Sequence, residues 1–205
     1  MDVKVKICGI TNVEDALAAA EAGADAVGLM FYEKSPRFVT LEQAQAIDEQ
    51  LPPYIIRVGV FVNPETDLVS AAMAHCGLTM LQFHGDEPND FCRQFGVMSM
   101  KAFRMKDESS LQQLSDYSTD AFLLDSYVAD KHGGTGEKFN WDLAIEAKQF
   151  KRPIFLSGGL TSDNVASAVQ KVVPFGVDVS SGVESAPGKK DHKKIRDFIA
   201  AVRAA

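Results

Sequence analysis

Cysteine is scarce in this sequence, with three residues among 205, widely spaced and odd in number. Such a pattern does not suit a disulfide framework, so we expect a reducing, cytoplasmic environment. The run of about 18 apolar residues that a membrane-spanning helix requires is also missing. The first ten residues, MDVKVKICGI, lack the apolar stretch of a signal peptide. The sequence therefore predicts neither a membrane protein nor an exported one.

Positive charge is in deficit as well. Twenty-one lysines and arginines face 28 aspartates and glutamates, which gives a net charge of −7. We therefore expect neither nucleic acid nor an anionic membrane as the main partner. The metal-binding patterns HExxH and CxxC are absent, and the four histidines are scattered. No GxGxxG follows a predicted strand, so we expect neither a metal site nor a dinucleotide.

The sequence does contain a repeated unit: a short strand rich in Val, Ile, Leu and Phe, a turn, and an amphipathic helix. The strands are nearly continuous apolar runs, which is typical of a parallel sheet buried on both faces. The weakest predicted helix is DESSLQQLSDYS, after the fifth strand, which we expect to be short or irregular. The predicted strands are VKVKIC, DAVGLMF, IIRVGVFV, TMLQFH, MSMKAF, AFLLD, PIFLS and GVDVS.

Eight such units in 205 residues repeat about every 25 residues, near the lower size limit of a (β/α)8 barrel. An open doubly wound sheet uses the same units but seldom needs eight of them. We therefore predict an α/β fold, a (β/α)8 TIM barrel that forms a single compact domain over residues 1–205. Side chains that carry out chemistry in this fold lie at the carboxyl ends of the strands and in the loops that follow.

The loops after the seventh and eighth strands carry the strongest chemical signal. Glycines let backbone N–H groups approach an anion closely, and helix N-termini add partial positive charge. We expect Thr161 or Ser162 to cap the seventh helix, and Gly134 and Gly136 in the preceding loop to add donors. Tight turns that need positive φ are the alternative explanation of the glycines. The residues predicted to bind a phosphate in the two loops are Gly158, Gly159, Ser180, Ser181 and Gly182.

Cys8 stands at the exit of the first strand. Alternate residues along a barrel strand share a face, so we expect Lys6 and Cys8 to face the interior together. A nearby ammonium favours the thiolate, which is a competent base or nucleophile. Simple packing is the alternative for Cys8. Cys76 and Cys92 fall within helical apolar patterns and are predicted to be core residues.

Other polar residues also stand at strand exits. Asp125 ends the sixth strand and can act as an acid or a base, while Asp178 lies beside the phosphate loops. Arg37 follows a proline in a loop, where its guanidinium can grip a carboxylate through two hydrogen bonds or simply remain a solvated charge. His84, in QFHGDE, is either a hydrogen-bonding support of the site or a plain structural histidine.

Taken together, these segments resemble the phosphoribosylanthranilate isomerase family of tryptophan biosynthesis. The resemblance extends from the first strand to the last helix, and the segments occur in the family's order. KICG and GVDVSSGVE are specific, whereas glycine turns alone occur in many phosphate-binding barrels. The segments that carry the resemblance are KICGIT, SPRFV, GVFVN, QFHGDE, GGTGEKFNW, LSGGLTSDNV and GVDVSSGVE followed by PGKKD.

The resemblance implies an Amadori rearrangement of N-(5-phosphoribosyl)anthranilate to 1-(o-carboxyphenylamino)-1-deoxyribulose 5-phosphate. It implies that Asp125 is the general acid, that Cys8 is the general base, and that Arg37 holds the anthranilate carboxylate. Asp178 would contact the substrate hydroxyls or amine. The partner would be a small phosphosugar, and no cofactor is implied because the iminium intermediate is its own electron sink. We expect a monomer or a homodimer.

Two alternatives stay open at this point. A related barrel could isomerise a different aminoaldose, as in histidine biosynthesis, but such enzymes usually pair two aspartates, and Cys8 argues against that. A catalytically silent phosphosugar-binding barrel would keep the phosphate loops and would not need both Cys8 and Asp125.

Overall fold

Within residues 2–126 and 141–205, which the computed structural model describes, eight parallel strands close into a barrel in chain order. The first strand pairs with the last, so the sheet has no free edge. The predicted (β/α)8 TIM barrel is therefore confirmed, and β5 extends two residues beyond its predicted end. The strands are β1 (Lys4–Cys8), β2 (Ala26–Met30), β3 (Ile56–Phe61), β4 (Met80–Phe83), β5 (Met98–Met105), β6 (Ala121–Ser126), β7 (Ile154–Leu156) and β8 (Gly176–Val179).

Helices follow the strands and cover the outside of the barrel. The helix after β5 is short and continues as a 3-10 turn over Gln113–Asp116, as predicted, and the short helix after β4 contains Cys92, which was predicted to be helical. In the described part of the chain, none of the helices is both long and apolar enough to cross a membrane. The α-helices are α1 (Val13–Glu21), α2 (Leu41–Asp48), α3 (Thr66–His75), α4 (Asn89–Arg93), α5 (Ser109–Gln112), α6 (Trp141–Glu146), α7 (Val165–Val172) and α8 (His192–Arg203).

The loop after β8 carries structure of its own. A 3-10 turn covers Ser181–Val183. An antiparallel hairpin follows, formed by β9 (Glu184–Ala186) and β10 (Lys189–Lys190). This hairpin stands between β8 and α8, so its side chains can reach the loops of the neighbouring first and second strands.

Alternate residues along the strands divide between two apolar clusters. One cluster fills the barrel interior, and the other packs between the barrel and the helices. Burial of both faces explains why the strands read as continuous apolar runs. The interior set includes Val58, Val60, Met100, Leu123 and Phe155. The same alternation brings Cys8, Gln82 and Asp125 to the interior at the carboxyl ends of their strands.

The predicted cap of the seventh helix is wrong. α7 begins at Val165, and neither Thr161 nor Ser162 caps it. Asn164 folds back instead: its side-chain oxygen accepts a hydrogen bond from the Thr161 N–H at 2.9 Å, and its amide donates to the Gly159 carbonyl at 2.9 Å. The physical reason is that the Asn164 side chain can accept one hydrogen bond from the loop backbone and donate another to it. It fastens the glycine loop that follows β7.

Cys76 and Cys92 are buried, free thiols in the outer core, as predicted. Burial raises the pKa of Cys76 to about 11 and that of Cys92 to about 12. Both are therefore inert thiols whose contribution is packing.

Candidate active site

A cavity of about 550 Å³ opens at the carboxyl end of the barrel. It brings together nearly all of the predicted site residues, although they come from five different parts of the chain. Gly134 and Gly136 lie outside the described residues. Those that line the cavity are Cys8, Arg37, Asp125, Gly158, Gly159, Asp178, Ser180, Ser181 and Gly182.

Cys8, the last residue of β1, has its thiol in the cavity wall. Gly28 of β2 stands opposite it in the register of the sheet. A Cβ atom at Gly28 would come within 2.8 Å of the Cys8 Sγ and 3.2 Å of the Lys6 Nζ. The absence of a side chain at Gly28 therefore makes the space in which the thiol and the ammonium stand side by side.

Lys6 forms an ion pair with Asp178 across the seam between β1 and β8. The Nζ–Oδ1 distance is 2.7 Å, and the two side chains are only 1% and 7% exposed. The Ser157 hydroxyl donates to the other carboxylate oxygen at 3.0 Å. Burial opposes the charge on Lys6, but Asp178 and Cys8 outweigh it, so the pKa of Lys6 is raised and the ammonium is retained.

The prediction that Lys6 and Cys8 share the interior face is confirmed, but the expected bias toward thiolate is wrong for the free protein. Burial raises the pKa of Cys8 above its ordinary value of 9.0; Lys6 lowers it, and Asp178 raises it again. The net direction is upward because desolvation of the thiolate outweighs the attraction of one ammonium that is already paired. Cys8 is therefore a thiol at neutral pH in the free protein.

Arg37 does grip a carboxylate through two hydrogen bonds, and the carboxylate is that of Glu184. Nε and Nη2 donate to the two Glu184 oxygens, each at 2.7 Å. The Arg37 side chain is 22% exposed and lines the cavity. Among the described residues, its Nη1 group makes no hydrogen bond. Arg37 thus keeps one donor group for a ligand while Glu184 fixes the plane of the guanidinium.

Glu184 and Lys190 are buried charges to which the sequence reasoning gave no role. The Lys190 Nζ donates to Glu184 Oε1 at 2.8 Å and to the Ser180 carbonyl at 3.2 Å. Although burial raises the pKa of Glu184, Arg37 and Lys190 hold it below its usual range. Burial lowers the pKa of Lys190. Both residues lie in the GVE…PGKKD segment, which was the one available sequence signal.

The glycine loops after β7 and β8 have the conformations that glycine favours. Gly158 and Gly159 have φ values of 86° and 65°. A side chain at Gly182 would collide with the Leu160 carbonyl, so the two loops are in close contact. The Ser180 hydroxyl is buried and has no hydrogen-bond partner among the described residues. Together they form a polar wall on one side of the cavity.

Asp125 and His84 also line the cavity, near the carboxyl ends of β6 and β4. The His84 Nε2 lies 3.4 Å from Asp125 Oδ2, and its Nδ1 lies 3.0 Å from the Gln82 amide nitrogen. The alternative of a hydrogen-bonding support for His84 is therefore the one the geometry favours. Across the described residues, no group of side chains is arranged to hold a metal ion.

The chain matches, over residues 5–201, the family model described as N-(5'phosphoribosyl)anthranilate (PRA) isomerase. It is 55% identical over 197 residues to the N-(5'-phosphoribosyl)anthranilate isomerase of Pelobacter propionicus, which covers 96% of this chain and 94% of that protein. It is 54% identical over 197 residues to the same enzyme of Geobacter sulfurreducens, covering 96% of this chain and 97% of that protein.

Solved structures agree with these relatives. The crystal structure of phosphoribosyl anthranilate isomerase from Thermotoga maritima has a TM-score of 0.93 at 44% identity, covering 99% of this chain and 100% of that one. A complex of such an isomerase with reduced 1-(o-carboxyphenylamino)-1-deoxyribulose 5-phosphate has a TM-score of 0.90 at 42% identity, with the same coverage. A structure of monomers generated from the dimeric Thermotoga maritima enzyme has a TM-score of 0.88 at 41% identity and also covers 99% of this chain and 100% of that one.

Alkylation of Cys8 by iodoacetamide should accelerate with pH and show no plateau below about pH 9, because only the thiolate reacts and burial has raised its pKa. Peptide mass spectrometry measures the rate at each cysteine. Cys8 should react fastest, since it lines the cavity while Cys76 and Cys92 lie in the core. A rate that already levels off near about pH 7 would contradict the raised pKa.

Proposed function

The chain belongs to the N-(5'-phosphoribosyl)anthranilate isomerase family, enzymes of tryptophan biosynthesis, and we propose that its cavity rearranges N-(5-phosphoribosyl)anthranilate to 1-(o-carboxyphenylamino)-1-deoxyribulose 5-phosphate. The observation that carries this proposal is that Cys8, Asp125, Arg37 and the two glycine loops all face one cavity. A phosphosugar that carries an aromatic carboxylate has two anionic ends. The cavity offers a separate anion-binding group for each end: the glycine loops for the phosphate and Arg37 for the carboxylate. Turnover, followed as loss of the substrate's fluorescence, tests the proposal.

The phosphate binds against the wall formed by Gly158, Gly159 and Ser180–Gly182. Backbone that approaches an anion without a side chain in between, together with a free buried hydroxyl at Ser180, supports this assignment. The anthranilate carboxylate binds at the free edge of Arg37. Glu184 already holds that guanidinium in place, so little side-chain entropy is lost when the substrate binds.

The chemistry then divides between Asp125 and Cys8. Asp125, as a carboxylic acid, donates its proton to the ring oxygen; the C1′–O bond breaks, and the lone pair of the amine forms the C1′–N double bond of an iminium ion. Cys8, as thiolate, takes the proton from C2′, and the C–H electrons form the C1′–C2′ double bond while the nitrogen regains its lone pair. The enolamine then tautomerises to the ketone. General acid and base steps of this kind each contribute about 10²–10⁴ in rate.

The environment of Asp178 argues against the rival that pairs two aspartates. Its carboxylate is held by Lys6 at 2.7 Å and by the Ser157 hydroxyl at 3.0 Å. A carboxylate bound on both oxygens is a poor proton carrier, so Asp178 orients the substrate through its remaining lone pairs. Cys8 is then the group left to act as base. We propose further that the chain forms one domain over residues 1–205, works in the cytoplasm where the Cys8 thiol stays reduced, and exists as a monomer or a homodimer.

Asp125→Asn should lower kcat by about 10²–10⁴ with little change in melting temperature, because the amide keeps the shape of the carboxyl group and cannot donate a proton to the ring oxygen. The matched control is Asp163→Asn, an exposed acid at the same end of the barrel. A variant that retains most of its kcat would remove Asp125 from the mechanism.

Gly159→Asp should raise KM far more than Gly159→Asn. The two side chains have nearly the same size and both tolerate the left-handed backbone at this position, where φ is 65°. Only aspartate brings a negative charge to the proposed phosphate wall. Steady-state kinetics with inorganic phosphate as a competitor measures the difference, and equal KM values for the two variants would count against the phosphate site.

Arg37→Met should weaken binding of a product analogue by about 1.5–3 kcal/mol while leaving the affinity for ribose 5-phosphate nearly unchanged, since only the analogue carries the carboxylate. Lys34→Met is the control, because it removes the same charge from an exposed position of the same loop. Calorimetric titration gives both affinities. Equal losses of affinity for the two ligands would show that Arg37 does not bind the carboxylate.

A further inference from the structure

Three polar side chains form a line from the barrel interior to the cavity. Gln82 points inward from β4 and is only 1% exposed. His84 directly follows the same strand, and Asp125 lies near the end of β6, with β5 between the two strands. The contacts along the line are 3.0 Å from the Gln82 Nε2 to the His84 Nδ1 and 3.4 Å from the His84 Nε2 to Asp125 Oδ2.

The direction of the first hydrogen bond decides where the proton of His84 is. A carboxamide NH2 group only donates, so the Nδ1 that faces it must accept and carries no proton. The proton of the neutral imidazole is then on Nε2, the nitrogen that faces Asp125. The Nε2–H of His84 therefore faces Asp125 Oδ2 across the 3.4 Å contact. The other oxygen of Asp125 is left to hold a proton for the substrate.

The burial of Gln82 supports a role for its side chain in this contact. Its side-chain oxygen is buried and has no hydrogen-bond partner among the described residues. An unpaired buried acceptor destabilises the fold, and the surrounding interior positions Val58, Val60 and Met100 are apolar. A leucine in place of Gln82 would pack there without that cost. The amide is therefore best explained by its contact with His84.

His84 itself is held by a rigid turn. Its N–H donates to the Phe61 carbonyl at 2.8 Å. The following Gly85 N–H donates to the carboxylate of Glu87 at 3.0 Å, and Glu87 is in turn bound by Lys101 at 3.0 Å in an ion pair with both side chains 3% exposed. These contacts hold the backbone of His84, and the hydrogen bond from Gln82 at 3.0 Å holds one nitrogen of its ring.

We propose that Gln82 and His84 are positioning residues that act through Asp125: Gln82 selects the Nε2–H tautomer of His84, and His84 holds one Asp125 oxygen so that the other presents the acidic proton to the substrate. This inference rests on the proposed role of Asp125 as the general acid. It adds that the acid is oriented from inside the barrel, through the Gln82–His84 hydrogen bond at 3.0 Å and the His84–Asp125 contact at 3.4 Å.

Ring-nitrogen NMR of the full chain, labelled with 15N-histidine, tests the tautomer without reference to activity. The His84 signals are assigned by their loss in His84→Gln, and spectra are recorded at about pH 8.5, where an ordinary imidazole is neutral. We expect a protonated Nε2 and an unprotonated Nδ1. Gln82→Glu should shift the proton toward Nδ1, because a carboxylate only accepts. A proton on Nδ1 in the parent protein, or an imidazolium, would overturn the proposal.

Kinetics then test the action through Asp125. Gln82→Leu should lower kcat by about tenfold or more, a part of what the acid itself contributes, and leave KM within about threefold. His84→Gln, which keeps an N–H donor, should retain more activity than His84→Leu. In an Asp125→Asn background, Gln82→Leu should have almost no further effect. An unchanged kcat in Gln82→Leu, or an equal loss in both backgrounds, would overturn the proposal, whereas an inactive parent protein would instead reject the proposed function.

Discussion

The ion pair between Lys6 and Asp178 joins the first strand to the last, and the site depends on it. The two residues are 172 positions apart in the chain and directly opposite in the register of β1 and β8. Barrel interiors of this fold are usually filled by branched apolar side chains, and a buried ion pair is often no more stable than an apolar substitute. Removing either partner would leave an uncompensated buried charge. The pair is therefore better explained by a role in the site than by a contribution to stability. It lies where β1 pairs with β8, and it holds an ammonium beside the Cys8 thiol.

A second charged network joins several loops to one another, as the Lys6–Asp178 pair joins the first strand to the last. Glu184 binds Arg37 and Lys190, so the hairpin after β8 is joined to the loop after β2. Asp15 of α1 accepts from the Lys190 N–H at 2.9 Å and lies 2.8 Å from His192 of α8. Because these contacts cross three loops, the cation proposed to meet the substrate carboxylate is fixed before the substrate arrives. Pre-organisation of this kind lowers the entropic cost of binding and keeps the cavity open around its polar groups.

The barrel and the identity of most cavity residues could be predicted because both follow from local patterns. Burial on two faces produces apolar runs, and the topology then requires that the residues at the strand exits meet, as Cys8, Arg37 and Asp125 do. Contacts between loops far apart in the chain leave no such pattern: Arg37 and Glu184 are 147 residues apart. The pKa of Cys8 was predicted in the wrong direction for a related reason. That pKa depends on the difference between the cost of burying the thiolate and the attraction of Lys6. The sequence shows that Lys6 is near Cys8, but it does not show how deeply the thiol is buried.

A raised pKa for Cys8 is nevertheless consistent with its proposed role as a base, because the charges in the cavity change during the proposed reaction. Asp178 raises the pKa of the thiol, and in the proposed complex the two anionic ends of the substrate share the cavity with it, so none of these charges favours a thiolate before ring opening. When Asp125 protonates the ring oxygen, the iminium ion that forms carries a positive charge on the carbon next to C2′. A cation at that distance adds to the attraction of Lys6 and Lys190, both of which already favour the charged form of Cys8. In the proposed mechanism the thiol then releases its proton to solvent, and the thiolate is available to remove the C2′ proton. In the proposed mechanism the acid step therefore precedes the base step, and the proposed orientation of Asp125 bears on both.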